Sequence, residues 1–191
     1  MKNTKDLEKR CYTFSHFMLS PMAKGIQTLH STVEIFNKYV PNPSQKDKLD
    51  LIDLEKEEAY KILFDWSRNH KTVISLNAGV SEDLDNLNDI LQDPENFYPW
   101  SDFCEDVYSL KGIKTAISIV LTEKIYATAA LFETVNFKWE PELGKVICLD
   151  APKTDTETLE IIESDLIKSY GKFSNFEMIF INALTNYKLA D

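Results

Sequence analysis

Two hydrophobic periods alternate along the chain, and their order predicts an α/β fold. CYTFSHFM, residues 11–18, places Tyr12, Phe14, His16 and Met18 on one face and Cys11, Thr13, Ser15 and Phe17 on the other, the period of a strand. Ser20 followed by Pro21 reads as an N-cap with proline at the first helical position, where a missing N–H costs nothing. The helix so opened is expected to reach about Tyr39, to bury Ile26, Leu29, Val33, Phe36 and Val40, and to stop at Pro41 and Pro43. Leu54, Ala59, Ile62, Leu63 and Trp66 predict a second helix within 50–68. KTVISL, residues 71–76, is β-branched, is bounded by Asn77 and Gly79, and reads as a short buried strand. Ser81 is expected to cap a third helix carrying Leu84, Leu87, Ile90 and Leu91, with Glu82 and Asp83 in the first turn where the helix dipole favours them.

After an irregular stretch at 93–101, FCEDVYS predicts a third strand and Leu110, Lys111 and Gly112 a turn. TAISIVLT, residues 115–122, is apolar on both faces and is expected to be a central strand, followed by a helix from Lys124 to Phe132. This order predicts one α/β domain over residues 1–137, a small four-stranded mixed sheet sandwiched by helices. Residues 138–191 read as an appended C-terminal helical region. GKVICLD (144–150) suits an edge strand, while Thr154 with Glu157 and Ser174 with Glu177 form capping boxes that open a helical hairpin, with Gly171 closing its first helix. The last helix carries Phe176, Ile179, Phe180, Ala183, Leu184 and Tyr187, a face that must pack on the sheet domain, a protein partner or a second copy.

Charge narrows the partners. The 191 residues hold 21 Lys+Arg against 31 Asp+Glu, a net charge of −10, so the chain repels nucleic acid and anionic membrane at long range. Neither DNA nor a membrane is expected as a partner, and no apolar run approaches the roughly 20 residues of a bilayer span. The N-terminus MKNTKDLEKR lacks a signal-peptide apolar block, and Cys11, Cys104 and Cys148 are few, odd in number and scattered, as suits reduced thiols in a cytoplasm. Walker, GxGxxG, GxSxG and HExxH motifs are absent, and with three histidines and three dispersed cysteines neither a metal nor another cofactor is expected.

Three local features carry candidate chemistry. Lys24, Gln27 and His30 repeat at three residues, so a lysine, a carboxamide and an imidazole share one side of the first helix, where they suit an oxyanion or an adenine edge. A solvated charge and ordinary backbone hydrogen bonds account for the same spacing. Glu105, Asp106, Ser109, Lys111 and Thr115 surround the tight turn before the last strand, where a carboxylate and two hydroxyls can order a water against an ester; a polar hairpin is the plainer account. Phe97, Tyr98, Pro99 and Trp100 form either a stacking lip over a ligand or part of the core. The candidate catalytic residues are therefore Lys24, Asp106, Ser109 and Thr115, and the candidate ligand-binding residues Gln27, His30, Trp100 and Lys111.

LSPMAKGIQTLHS (19–31), with Gln27 and His30 in Q-x-x-H spacing, KTVISLNAGVSEDLDNL and EDVYSLKGIKTAISIVL together resemble the peptidyl-tRNA hydrolases of the archaeal and eukaryotic type over residues 10–125. The resemblance implies an α/β domain that binds an RNA acceptor end or an adenine nucleotide and hydrolyses an ester with an activated water. Asp106 would stand for the family's catalytic aspartate, and Ser109 and Thr115 for its threonines. The family's lysine falls on Ala23, one residue before Lys24, and the alanine and glycine after its aspartate are Val107 and Tyr108 here. A second expectation is a catalytically degenerate interaction protein. The short, acidic, lysine- and asparagine-rich chain has the style of a bacteriophage accessory protein acting on a host factor.

Overall fold

The computed structural model describes residues 7–40, 54–142, 145–148 and 156–190. The chain divides into two compact units, one built from Lys9–Leu121 with the last residues from Tyr187 onward, the other from Thr122–Asn186 with Leu7 and Glu8.

The first unit is a mixed sheet with helices on both faces. Its strands are β1 (Lys9–Ser15), β2 (Thr72–Asn77), β3 (Trp100–Cys104), β4 (Lys114–Thr122) and β7 (Lys188–Leu189), in the order β3-β4-β1-β2-β7. β1 and β2 are parallel, Arg10 facing Thr72 and Ser15 facing Asn77, while β3 lies antiparallel to β4 and β7 to β2. The four expected strands are joined by β7, whose two residues carry too little pattern to be seen in the sequence. β4 is an interior strand, and every residue from Thr115 to Thr122 is buried.

α1 (Pro21–Tyr39) begins where expected, with Ser20 Oγ accepting from Ala23 N at 3.2 Å and Pro21 in the first turn. Its orientation reverses the expectation. Ile26, Leu29, Val33 and Val40 are exposed, whereas Lys24, Gln27, Ser31 and Ile35 are buried. The cause lies in the sheet. Alternation along β1 sends Cys11, Thr13 and Ser15 toward α1, and this surface is matched by small polar residues of the helix: Thr13 Oγ1 with Thr28 Oγ1 at 3.2 Å, Ser31 Oγ with Ser118 Oγ of β4 at 2.6 Å, and Thr32 with the Cys11 thiol. Buried hydroxyls demand partners, and a rotated α1 would strand them.

α2 (Leu54–Asp65) buries Ala59, Ile62 and Leu63 and continues into a π-helical turn, Trp66–His70, that ends with Lys71 in the left-handed region, φ 59°. The Trp66 ring lies 6.4 Å from Phe36 of α1, so both helices cover the same face. Phe14 points the other way and meets Tyr187 edge-on at 4.9 Å. α3 (Ser81–Leu91) buries Leu84, Leu87 and Leu91, and its Asp83 stands close enough to Tyr187 to reinforce the effect of burial, which pushes that phenol up to about 12. Ser81 is the first helical residue rather than the cap. Val80 holds the cap position, and its amide donates to Asp83 Oδ2 at 2.8 Å. The strand expected from FCEDVYS ends at Cys104, and Val107–Leu110 forms α4, a single helical turn.

In the second unit, α5 (Glu123–Val135) packs against α7 (Asn175–Leu184). Phe176, Met178, Phe180, Ile181 and Leu184 are buried, as is Glu177, which takes Lys124 Nζ at 2.6 Å. The Ser174–Glu177 capping box forms as expected, with Glu177 N donating to Ser174 Oγ at 3.1 Å and Ser174 N to Glu177 Oε2 at 2.9 Å. The expected edge strand is β6 (Lys145–Cys148), which pairs with β5 (Phe137–Glu140) in a separate two-stranded ribbon. α6 (Thr156–Tyr170) precedes Gly171, whose φ of 82° closes it; Thr154 lies outside the described residues. No helix among the described residues is long and apolar enough to cross a membrane.

Candidate functional site

α1 starts just past the carboxyl end of β1, and the acidic turn after β3 stands at the same edge of the sheet. His16 N, one residue beyond β1, donates to Thr115 O at the start of β4 at 3.0 Å. This edge collects the polar side chains that the sequence singled out at Lys24, Gln27 and Thr115.

Gln27 is 9% exposed, and its Nε2 donates to Glu105 Oε1 in a short hydrogen bond. Its Oε1 is buried and has no partner among the described residues. Lys24, one turn earlier on the same helix face, is 8% exposed, and among the described residues its ammonium has no hydrogen bond or ion pair. Thr115 is 2% exposed, and its Oγ1 is likewise buried without a partner. It sits at an irregularity, because Phe103 faces Ala116 while Cys104 faces Lys114, so Thr115 is the extra residue of a β-bulge. Gln27, with an unmet acceptor, thus adjoins the Glu105 carboxylate; Lys24 stands one turn before it on α1, and Thr115 at the start of β4.

The other expected residues are placed differently. Asp106, expected as the catalytic carboxylate, is the exposed N-cap of α4, its Oδ1 accepting from Tyr108 N at 2.6 Å. The helical turn creates that role, and FCEDVYS read as a strand concealed it. Glu105, one residue earlier, is the carboxylate that meets α1. Lys111 is exposed and occupies the left-handed position that ends α4, φ 56°, with its amide on Val107 O at 3.1 Å. Ser109 belongs to α4, and its side chain lies outside the described residues. His30 is exposed and stacks on Phe103 at 4.6 Å with an 11° interplanar angle. Trp100 lies under Lys38, whose Nζ is 3.8 Å from the ring centroid. Lys38 is 14 residues along α1 from Lys24, roughly 20 Å at helical rise, so Trp100 is no lip of this site.

The cation, the carboxamide oxygen and the carboxylate at this edge offer a ligand both donors and acceptors. Lys24 can hold an anionic or carbonyl oxygen, Gln27 Oε1 can take an N–H or O–H, and Glu105 can accept a proton from a water. Cys11 and Cys104 take no part. Burial pushes the Cys11 thiol up to about 12 against its hydrogen bond with Thr32, and burial followed by the neighbouring Asp102 raises Cys104. Among the described residues there is no cluster of three or more His, Cys, Asp or Glu side chains suited to a metal ion. An apolar cavity of about 90 Å³ lies within the second unit, lined by Phe132, Phe137, Trp139, Val146, Ile162 and neighbours.

Comparison with known families finds no family model that matches the chain, and a search of curated proteins finds no match.

Proposed function

We propose that this protein is a peptidyl-tRNA hydrolase-like domain that binds the acceptor end of an RNA, or the adenine nucleotide that ends it, and hydrolyses an ester there. The observation that carries the reading is a pair of polar groups on one turn of α1 that have no partner among the described residues, the ammonium of Lys24, whose residue is 8% exposed, and the buried Gln27 Oε1, with Gln27 Nε2 bonded to the Glu105 carboxylate. A structural polar cluster is completed by its own members. This one leaves a donor and an acceptor unmet at the edge of the sheet, as a binding site does before its ligand arrives. The resemblance over residues 10–125 supplies the substrate class, since it rests on the same helix and the same acidic turn.

In this reading Gln27 holds Glu105 in place. Glu105 takes a proton from a water as the water oxygen bonds to the ester carbonyl carbon, and Lys24 stabilises the oxyanion that forms. Collapse of the tetrahedral species breaks the bond to the ribose oxygen, which leaves with the proton. Asp106, the helix cap, has no part in the chemistry.

The test is release of free tRNA from a peptidyl-tRNA at low salt. The wild type is expected to release it, Glu105→Gln and Lys24→Met to lose on the order of 100-fold or more, and Asp106→Asn, which keeps the cap, to stay within about twofold. Binding should weaken with salt at a log–log slope of about −0.7 per phosphate contacted. A wild-type protein that neither binds nor hydrolyses any aminoacyl or peptidyl ester of tRNA refutes the proposal.

A further inference from the structure

We propose that the outward face of α1 is the seam of a homodimer, in which two copies of this helix pair antiparallel about a two-fold axis. The inference is independent of the hydrolase reading, because it uses the side of α1 opposite Lys24 and Gln27.

Met22, Ile26, Leu29 and Val33 are spaced by four, three and four residues, the spacing of a seam between two helices, and none is covered: their exposures are 79%, 49%, 64% and 46%. Met18, at 75%, and Phe17, at 46%, extend the patch into the loop before the helix. Together these side chains present on the order of 500 Å² of apolar surface. That is near the upper end for a single patch on a monomer, roughly 300–600 Å², and most of the ~800 Å² per partner of a stable interface. In the second unit the comparable apolar residues of α7 are already buried, so α7 does not compete for this role.

Two features select a second copy. The 4-3-4 spacing reads the same from either end, so a two-fold axis between Ile26 and Leu29 sets Ile26 of each copy over Leu29 of the other and Met22 over Val33, with the helix dipoles opposed. The residues flanking the seam, Ala23, Gly25, His30 and Thr32, carry no carboxylate, so two chains of net charge −10 meet where neither presents acid. Gly25 fits this geometry. It sits inside a helix, where glycine costs about 1 kcal/mol relative to alanine, yet a Cβ there would meet nothing within 4 Å in its own chain. Close approach of a neighbouring helix gives that glycine a reason the monomer lacks.

Sedimentation of the full chain tests the proposal. The wild type is expected at twice the 22.0 kDa monomer mass at micromolar concentration. Leu29→Asp should sediment as a monomer with an unchanged far-UV spectrum, because the substituted side chain faces outward. On mild oxidation, a mixture of one chain carrying Ile26→Cys with Cys104→Ser and another carrying Leu29→Cys with Cys104→Ser should give the disulfide-linked heterodimer in preference to either homodimer, which fixes the antiparallel alignment. A wild type that remains monomeric to about 100 µM, a Leu29→Asp dimer as tight as wild type, or cross-linking of the single-cysteine chains to themselves rather than to each other each overturns it.

Discussion

Gln27→Glu puts the geometry at the sheet edge under direct strain. The wild-type carboxamide donates to Glu105 from a buried position, and a donor to a carboxylate is worth roughly 1.5–3 kcal/mol net. The substitution replaces that donor with a second carboxylate of the same shape. Two unit charges about 4 Å apart repel by about 4 kcal/mol at an effective dielectric of 20, and the half-buried state of Glu105 together with Lys24 one turn away reduces this. A loss of about 2–3 kcal/mol at pH 8 is the expected result, or a fall in Tm of roughly 4–12 °C for a chain of this size. The sign with pH is fixed. Repulsion raises the folded pKa of the pair above the unfolded value near 4.3, so stability is intact below that value, where one proton is shared between the carboxyls, and is lost as pH rises through the raised pKa. Urea unfolding of wild type and variant should therefore give nearly equal stabilities near pH 4.5 and diverge by pH 8. Adding Lys24→Met to Gln27→Glu should deepen the loss at pH 8 beyond the sum of the single changes, since it removes the nearby cation. Parallel curves for wild type and Gln27→Glu from pH 4.5 to 8, within about 0.5 kcal/mol, would refute the placement of Gln27 against Glu105.

Two further perturbations test the frame that holds the site. Lys9, buried in β1, ion-pairs with Asp65 at 2.5 Å; burial alone would raise Asp65, but hydrogen bonds from Lys9 and Asn69 outweigh it and hold the carboxyl below its ordinary value. Lys9→Met should cost about 1–3 kcal/mol at pH 7, and the deficit should shrink as pH falls through that depressed value, because a depressed carboxylate contributes above its unfolded pKa and not below; equal deficits in urea at pH 7 and pH 3 would contradict this. Gly79 has φ 79°, and a Cβ there would come within 2.3 Å of Asp83 Oδ2, the acceptor for the Val80 amide. Gly79→Ala should therefore lower stability by about 2 kcal/mol in a thermal melt, and a change under about 0.5 kcal/mol would show that the turn relaxes freely.

Much of the fold can be read from local chemistry. Ser20 and Pro21 mark the start of α1, Ser174 and Glu177 that of α7, and β-branched runs mark β2 and β4, because each signal is decided within a few residues. The candidate site was only half legible. Lys24 and Gln27 stand out by spacing, but the choice between Glu105 and Asp106 turns on whether VYSL is strand or helical turn, and four residues with Val, Tyr and Leu satisfy both periods. Trp100 and His30 illustrate a different limit. Residues adjacent in a list of candidate chemistries stand at different points along α1, and only the register of β3 beneath the helix, through His30 on Phe103 and Lys38 on Trp100, says where.

The reversal of α1 shows which part of the sequence decides the matter. Read alone, the helix offers an apolar stripe at Ile26, Leu29 and Val33 and a polar one at Lys24, Gln27, Thr28 and Ser31, and burial of the first is the natural choice, each large side chain being worth roughly 1.5–3 kcal/mol. The strands veto it. Cys11, Thr13 and Ser15 alternate with Tyr12 and Phe14, and Ser118 interrupts the apolar run 116–121 of β4, so the sheet face under α1 is lined by groups that must be hydrogen-bonded. An Ile26–Leu29 stripe set over that face would leave Thr13 and Ser118 buried without partners, at roughly 1–3 kcal/mol each, and would hold the helix too far out to reach them. Serine and threonine facing serine and threonine give a directional seam. Thr28 on Thr13 and Ser31 on Ser118 fix rotation and translation together, because a shift of one residue turns α1 by about 100° and breaks both. The same seam buries Lys24 and Gln27, sets Gln27 against Glu105, and leaves Met22, Ile26, Leu29 and Val33 outside. The polar site and the exposed stripe are two consequences of one property of the sheet: Ser118→Val with Thr13→Val, by removing the groups that require a polar helix face, should loosen the register of α1 and disturb both together.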